Sequence, residues 1–375
     1  MFPAYEGQSR GTVTYALYKL TSKWIKLSNV SVKVIRILGF SDSKDKLVKF
    51  GWHRVSNIDV YNQLLIHIPR TKVVFFREIT KKLLVRELLK KNFIPNIVIA
   101  HINDSFELAY LISKYFNAEL VLGFHQSDII WLDKSQNRKK IIKYLEEAKK
   151  IACRSKTIYE RVSIIFPQYK DKMFIAYSGI SEDIIENRDF FIEKSRFNEQ
   201  EIVFSTVAKL IPLKNIDINL KALSNFKDKR WKYCIMGNGE HMSYLKKLAN
   251  NLGIADKVIF TGYIEHDKVL EKLKETHVFI MVSAPETFGL AYLEAMAKAN
   301  IVIGAKGWGI DGIVKNSFNG FLVKPRNVLE LSEVLNKIFK MTRSEKEKIL
   351  LNTWSTINKY TETEAAMNYL KNIFN

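Results

Sequence analysis

Cysteine is scarce in this chain of 375 residues, with only Cys153 and Cys234. Both lie in apolar, strand-like runs, so both are expected reduced and buried, which argues against a disulfide-stapled secreted fold. No apolar run approaches the roughly 18–20 residues that span a bilayer. The opening Met1-Phe2-Pro3-Ala4-Tyr5-Glu6 lacks the basic and apolar segments of a signal peptide. Metal-ligand spacings are missing as well. There is no Asp-x-Asp, no Cys-x-x-Cys and no histidine pair at helical spacing, so no metal is expected. Acidic residues are the last shortage. Asp and Glu number 39 against 59 Lys and Arg, a formal charge of +20, and this surplus points to an anionic partner.

Three anions satisfy that charge: nucleic acid, a phosphorylated substrate and an acidic lipid. Nucleic acid is disfavoured, because no recognition motif is present and no basic run is interleaved with stacking aromatics. The cations do cluster. Lys81-Lys82, Arg86 and Lys90-Lys91 share a helical stretch with Leu83, Leu84, Leu88 and Leu89, and Arg138-Lys139-Lys140, Lys143 and Lys149-Lys150 share another. Basic amphipathic helices rest on anionic membrane surfaces. The expected location is therefore cytoplasmic, with the inner face of the plasma membrane as a peripheral site.

The length suggests two domains, and the 47% hydrophobic content lets each bury a core. Strands are predicted at 30–38, 96–101, 119–124, 150–153 and 173–177. Helices are predicted at 80–91, 105–116 and 134–150. This alternation argues for a parallel sheet with helices on both faces. A polar stretch at about 180–200, SEDIIENRDFFIEKSRFNEQE, is read as the linker. The pattern then restarts with strands at 202–207, 231–236, 258–260, 278–282 and 301–304. Helices at 215–226, 240–252, 268–275, 290–299 and 328–339 separate them. The tail, 362–373, reads as one amphipathic helix. The fold class is thus α/β, with two doubly wound units. The expected boundaries are 1–185 with 358–375 for the first and 195–357 for the second. Near the start, the glycine-bearing segment Gly7-Gln8-Ser9-Arg10-Gly11 arrives before any strand. A doubly wound domain opens with one, so an N-terminal strand is suspected to be missing.

The most informative block is 282–325. Glu286 and Glu294 stand eight positions apart around Pro285, Phe288-Gly289 and the start of an alanine-rich helix, with a buried strand just before. Strand, glycine turn, helix aims backbone N–H groups at an anion. The amides of Phe288, Gly289 and Leu290 are placed for a phosphate or sugar hydroxyls, and two carboxylates suit hydroxyl pairs because they only accept hydrogen bonds. Lys209 and Lys214 flank the strand-to-helix loop Leu210-Ile211-Pro212-Leu213, where two cations would neutralise a diphosphate. Gly237-Asn238-Gly239 lacks the third glycine of a dinucleotide fingerprint but suits a close backbone approach. His125 ends a predicted strand and precedes Asp128, while His101 ends another near Asn103 and Asp104.

In this order the motifs resemble those of the group 1 (family 4) retaining glycosyltransferases, which have a GT-B fold of two Rossmann-like domains facing a cleft. The resemblance covers nearly the whole chain. It runs from Pro3 to Gly11 through Phe124-His125-Gln126-Ser127-Asp128, Tyr177-Ser178-Gly179-Ile180 and Val207-Ala208-Lys209 with Lys214. It continues through Gly237-Asn238-Gly239-Glu240 and Phe260-Thr261-Gly262 to the Glu286–Glu294 block.

The resemblance implies that Glu286 touches the donor sugar and Glu294 binds the ribose hydroxyls. Lys209 and Lys214 hold the diphosphate, with Lys209 standing where the family usually carries arginine, which removes bidentate recognition. Gly11 and Gly237 approach the donor, Ile264 meets the base, and His125 faces the sugar. His101 is assigned at most to the acceptor side. Catalytic roles fall to Glu286, His125 and Lys214. The implied activity is a retaining, metal-independent hexosyl or N-acetylhexosaminyl transfer from a nucleotide-diphosphate sugar, UDP-linked for preference. The acceptor is a glycan or lipid-linked molecule of bacterial surface polysaccharide synthesis, such as capsule or exopolysaccharide. The alternatives are a GT-B sugar-nucleotide epimerase, which would not carry this glutamate block with its lysine pair, and a basic anion- or nucleic-acid-binding module.

Overall fold

The computed structural model describes residues 12–38, 51–64, 74–197 and 201–375. The chain forms two compact units. The first takes the N-terminal part to Arg154, Ile158–Ser178 and Glu362–Asn375; the second takes Ser155–Thr157 and Gly179–Thr361.

In the first unit, α1 (Thr12–Leu27) precedes β1 (Lys33–Leu38), β2 (Gly51–Val55), β3 (Ile58–Leu64) and α2 (Val74–Lys90). Then follow β4 (Ile97–His101), α3 (Phe106–Phe116), β5 (Glu119–Phe124), α4 (Gln126–Leu132), α5 (Ser135–Glu147), β6 (Ala148–Cys153), α6 (Lys156–Ile165) and β7 (Met173–Ile175). Strands β4-β5-β6-β7 form a wholly parallel sheet. Alternation along its strands fills both faces. Leu120, Leu122 and Phe124 join the core that includes Phe106, Ile141 and Leu145, whereas Val121, Ala152 and Phe174 pack with Leu17, Leu20 and Trp24 of α1.

The expected single parallel sheet needs correction. Strands β1-β3-β2 form a separate sheet in which β2 and β3 pair antiparallel. Their turn is Ser56-Asn57, with Ser56 at φ 49°, and no Asn-Gly or Asp-Gly pair marks it. The helix expected over 134–150 also ends early, at Glu147, and Lys149 and Lys150 lie on β6 instead.

In the second unit, α7 (Arg188–Lys194) comes first, in the stretch read as a linker. The Asn187 side chain caps it by accepting from Phe190 N at 2.9 Å, and Phe191 is fully buried in the second core. Polar flanks concealed a packed turn of helix. Next come β8 (Ile202–Val207), α8 (Ile216–Leu223), β9 (Trp231–Met236), α9 (Met242–Asn251), β10 (Val258–Gly262) and α10 (His266–Glu275). Then follow β11 (Val278–Met281), α11 (Leu290–Ala297), β12 (Ile301–Ala305), β13 (Phe321–Val323), α12 (Val328–Lys340) and α13 (Arg343–Ile357). The six-stranded parallel sheet runs β10-β9-β8-β11-β12-β13. Its order reverses beside β8, the switch point at which open α/β sheets bind ligands past their strand ends.

The last helix, α14 (Glu362–Phe374), belongs to the first unit. It packs along α1, with Trp24 and Tyr369 ring centroids 4.9 Å apart.

Candidate active site

Past the carboxyl ends of β8, β9 and β11, backbone packs closely against backbone. Gly237 has φ 132°, and a Cβ there would lie 1.9 Å from the Ala208 carbonyl oxygen; one on Gly239 would lie 2.2 Å from that of Leu210. The Leu210 amide donates to the Asn238 carbonyl at 2.9 Å. Only glycine lets these two loops touch. The 211–215 loop is in turn stitched onto the end of β11. Asn215, at φ 51°, donates through Nδ2 to the Val282 carbonyl at 2.8 Å, and the Ala284 amide donates to the Leu213 carbonyl at 3.1 Å.

That stitching brings Lys214 to Glu286. Lys214 Nζ lies 2.6 Å from Glu286 Oε2, with the lysine 21% and the glutamate 14% exposed. Ser283 Oγ donates to the same oxygen at 3.1 Å, and the Thr287 amide donates to Oε1 at 3.2 Å. Gly309 N donates to the Glu286 carbonyl at 3.1 Å, so the loop after β12 is tied to the same residue. Gly289, at φ 78°, is the N-cap of α11 and provides no side-chain cap; the Tyr292 amide donates to its carbonyl at 3.0 Å, and the amides of Leu290 and Ala291 before it lack an intrahelical partner. A Cβ on Gly289 would lie 2.5 Å from the Tyr292 ring, itself buried and donating to the Met281 carbonyl. Phe288 is buried and anchors the turn. A carboxylate, an ammonium and free helix-end amides thus meet in one turn.

Glu294 sits one turn into α11, where its Oε1 lies 3.0 Å from His266 Nε2. His266 belongs to no motif, and only the fold brings it to Glu294. Lys209 is exposed; its carbonyl accepts from the Ile211 amide at 2.9 Å, and its side chain makes no hydrogen bond or ion pair among the described residues. Ile264 is half-buried beyond β10, next to exposed Tyr263. Gly11 lies outside the described residues. Among the described residues, no group of three or more His, Cys, Asp or Glu side chains could hold a metal ion.

The first unit gathers a second cluster at the carboxyl edge of β4-β5-β6-β7. His125 is buried, and its Nε2 lies 3.0 Å from His101 Nδ1. His101 Nε2 lies 3.2 Å from Tyr369 Oη on α14. The lysine-rich sequence hid this chain of three rings, because its last member is 268 residues from its middle one. Burial holds both histidines well below the usual imidazole range, followed by His125 and then Arg154 for His101 and by Arg154 for His125. Arg154 is itself buried and donates to Ser178 Oγ. Asp128 accepts from the amides of Asn103 at 2.8 Å and His125 at 2.7 Å, while burial pushes its carboxyl up to about 7. The His125 imidazole is therefore fixed inward by its neighbours.

Residues 187–351 match the family described as glycosyl transferases group 1. That match lies wholly within the second unit. It is 31% identical over 182 residues to an uncharacterized glycosyltransferase of Methanocaldococcus jannaschii, covering 46% of each chain. It is 24% identical over 236 residues to the N-acetyl-alpha-D-glucosaminyl L-malate synthase of Bacillus anthracis, covering 60% of this chain and 61% of that one. The match therefore spans about half to three fifths of these relatives. Among solved structures, Anabaena HepE in complex with UDP-glucose superposes with TM-score 0.69 at 17% identity, over 100% of this chain and 98% of that one. At that identity the likeness speaks for the fold, which is GT-B. Each unit carries a parallel sheet flanked by helices, and the first adds the small mixed sheet β1-β3-β2.

Proposed function

We propose that this chain transfers a hexosyl or N-acetylhexosaminyl group from a nucleotide-diphosphate sugar, UDP-linked, to a glycan or lipid-linked acceptor, with retention at the anomeric carbon. The observation that carries this reading is the Lys214–Glu286 pair beside the uncapped start of α11. The family match over residues 187–351 and the UDP-glucose bound to the Anabaena neighbour support it.

In this reading the first-turn amides of α11 with Lys209 and Lys214 hold the diphosphate, and Glu286 accepts from donor-sugar hydroxyls. Glu294 accepts from the ribose, Gly237 allows the nucleotide close to the backbone, and Ile264 lies against the base. His125 of the first unit contributes to the sugar's surroundings. The bond from the anomeric carbon to the phosphate oxygen breaks, and the acceptor oxygen bonds to that carbon on the same face. The acceptor's proton passes to the leaving phosphate, whose charge the lysines and amides stabilise. No step is assigned to a metal ion, so turnover should persist in EDTA. The biological setting proposed is bacterial surface polysaccharide synthesis from the cytoplasmic side.

The test is product analysis with purified protein and UDP-sugars. Stereochemically retained glycoside formed in chelator supports the reading. Complete loss in EDTA, restored by a divalent metal, contradicts the metal-independent route. Epimerised nucleotide sugar without acceptor contradicts transfer.

A further inference from the structure

Helix α2 has two apolar faces. Leu84, Val85 and Leu88 point inward and pack with Leu108 and Ile112 of α3. On the opposite side Ile79, Leu83 and Leu89 are 40%, 40% and 43% exposed. They recur three to four residues apart with exposed Lys82, Arg86 and Lys90, so they form one outward stripe. Ile94, 66% exposed just past the helix, and Tyr115 of α3, 56% exposed, extend the patch. Tyr115, Leu89, Lys82 and Arg86 line part of a surface hollow of about 630 Å³. The acidic residues of α2 are already matched: Glu78 pairs with Lys81 at 2.8 Å and Glu87 with Lys90 at 2.6 Å. Lys82 and Arg86 have no ion-pair partner among the described residues.

We propose that this outward face of α2 docks on an anionic lipid bilayer. Aliphatic side chains ringed by unpaired cations match a headgroup boundary, where the apolar tips enter and the ammonium and guanidinium groups meet phosphates. A protein partner fits less well, since lysine is depleted from the centres of protein interfaces. The duplex backbone offers nothing to three exposed aliphatic residues. Charge alone does not make the face. Helix α5 is as basic, yet its Arg138 donates to the Leu132 carbonyl at 2.8 Å, its Lys143 lies 4.9 Å from the Tyr144 ring, and its Ile141 and Leu145 are buried. The inference goes beyond sugar transfer and does not depend on it.

The test is flotation of the whole chain with vesicles of phosphatidylcholine, with and without phosphatidylglycerol. Wild type is expected to float only with the anionic vesicles. Lys82→Glu/Arg86→Glu should weaken that binding by about tenfold or more. Leu83→Ser/Leu89→Ser should also weaken it and leave a remnant removed by salt. Lys246→Glu/Lys247→Glu, the same charge change on exposed α9 of the second unit, should stay within about twofold of wild type. All these positions are solvent-exposed, so each variant should melt like wild type. No flotation overturns the proposal, as does equal loss in the α9 variant, which would signal diffuse charge. Binding of a DNA duplex that matches vesicle binding and ignores Leu83→Ser/Leu89→Ser would mark a polyanion site instead. Nucleotide-sugar binding by the same variants reports separately on the donor site.

Discussion

Lys214 Nζ and Glu286 Oε2 lie 2.6 Å apart, although 72 residues separate them in the chain. Backbone and Asn215 bonds to the end of β11 set that distance, so the pair is built into the sheet rather than left to flexible side chains. In the proposed function this ammonium would shift from the carboxylate towards the donor's diphosphate. Glu286→Gln and Lys214→Ala are each expected to lower turnover by well over tenfold, about 1.4 kcal/mol or more of transition-state stabilisation. The double variant should lose less than the product of the two, because the residues act as a unit. Steady-state kinetics on the three variants checks this.

Glu294 and His266 make a different prediction. A group that binds the ribose acts on ground and transition states alike, so Glu294→Gln should raise the donor KM by about tenfold with a smaller effect on kcat. His266→Ala should raise KM less, since its imidazole only orients the carboxylate at 3.0 Å. A kcat collapse with unchanged KM in Glu294→Gln would reassign this residue.

The glycine turns predict stability rather than rate. Gly237→Ala places a methyl 1.9 Å from the Ala208 carbonyl oxygen at a φ of 132°, and Gly289→Ala places one 2.5 Å from the Tyr292 ring at φ 78°. Each should cost on the order of 1–3 kcal/mol. Melting of the second unit, followed by circular dichroism, should fall for both, whereas alanine at Gly307, which has nothing within 4 Å but also a positive φ of 74°, should cost less.

Acid should loosen the protein between about pH 6.5 and pH 4. His101 and His125 titrate well below the usual value, and His277, stacked on Phe197 and accepting from Val203 N, is lowered to about 4 by burial and nearby lysines. The unfolded chain takes up these protons first, so stability present above pH 6.5 is lost as pH falls. Asp128 opposes this. Its folded carboxyl, raised to about 7, binds its proton more tightly than the unfolded one, so its contribution is greatest at low pH and declines as pH rises towards 7. Three imidazoles against one carboxyl give a net rise in stability from pH 4 to 6.5. Urea titrations across that window check the sign, and His277→Asn should flatten it.

Fully buried parallel strands were the most legible part of the sequence. Glu119–Phe124, Ile202–Val207 and Trp231–Met236 form at the predicted bounds, because strands covered on both faces read as apolar runs closed by turns. The hairpin of β2 and β3 was not legible, lacking a glycine turn. Helix α13 was missed because its stretch is rich in Lys, Ser and Thr, and because its Lys346 is buried, donating to the Phe197 carbonyl at 2.6 Å. The glutamate block could be found because its parts are close in sequence. The His101–His125–Tyr369 chain and the His266 partner of Glu294 could not, since only tertiary folding brings them together.

The most direct test of the account is a thermal-shift titration of the whole chain with UDP-, GDP- and ADP-sugars, without acceptor or metal, beside Glu286→Gln and Glu294→Gln. Ligand that binds only the folded state raises the melting temperature. The account predicts a rise with UDP-sugars that shrinks in both variants. A cooperative melt that none of the nucleotide sugars moves, or a rise indifferent to both glutamates, would contradict it.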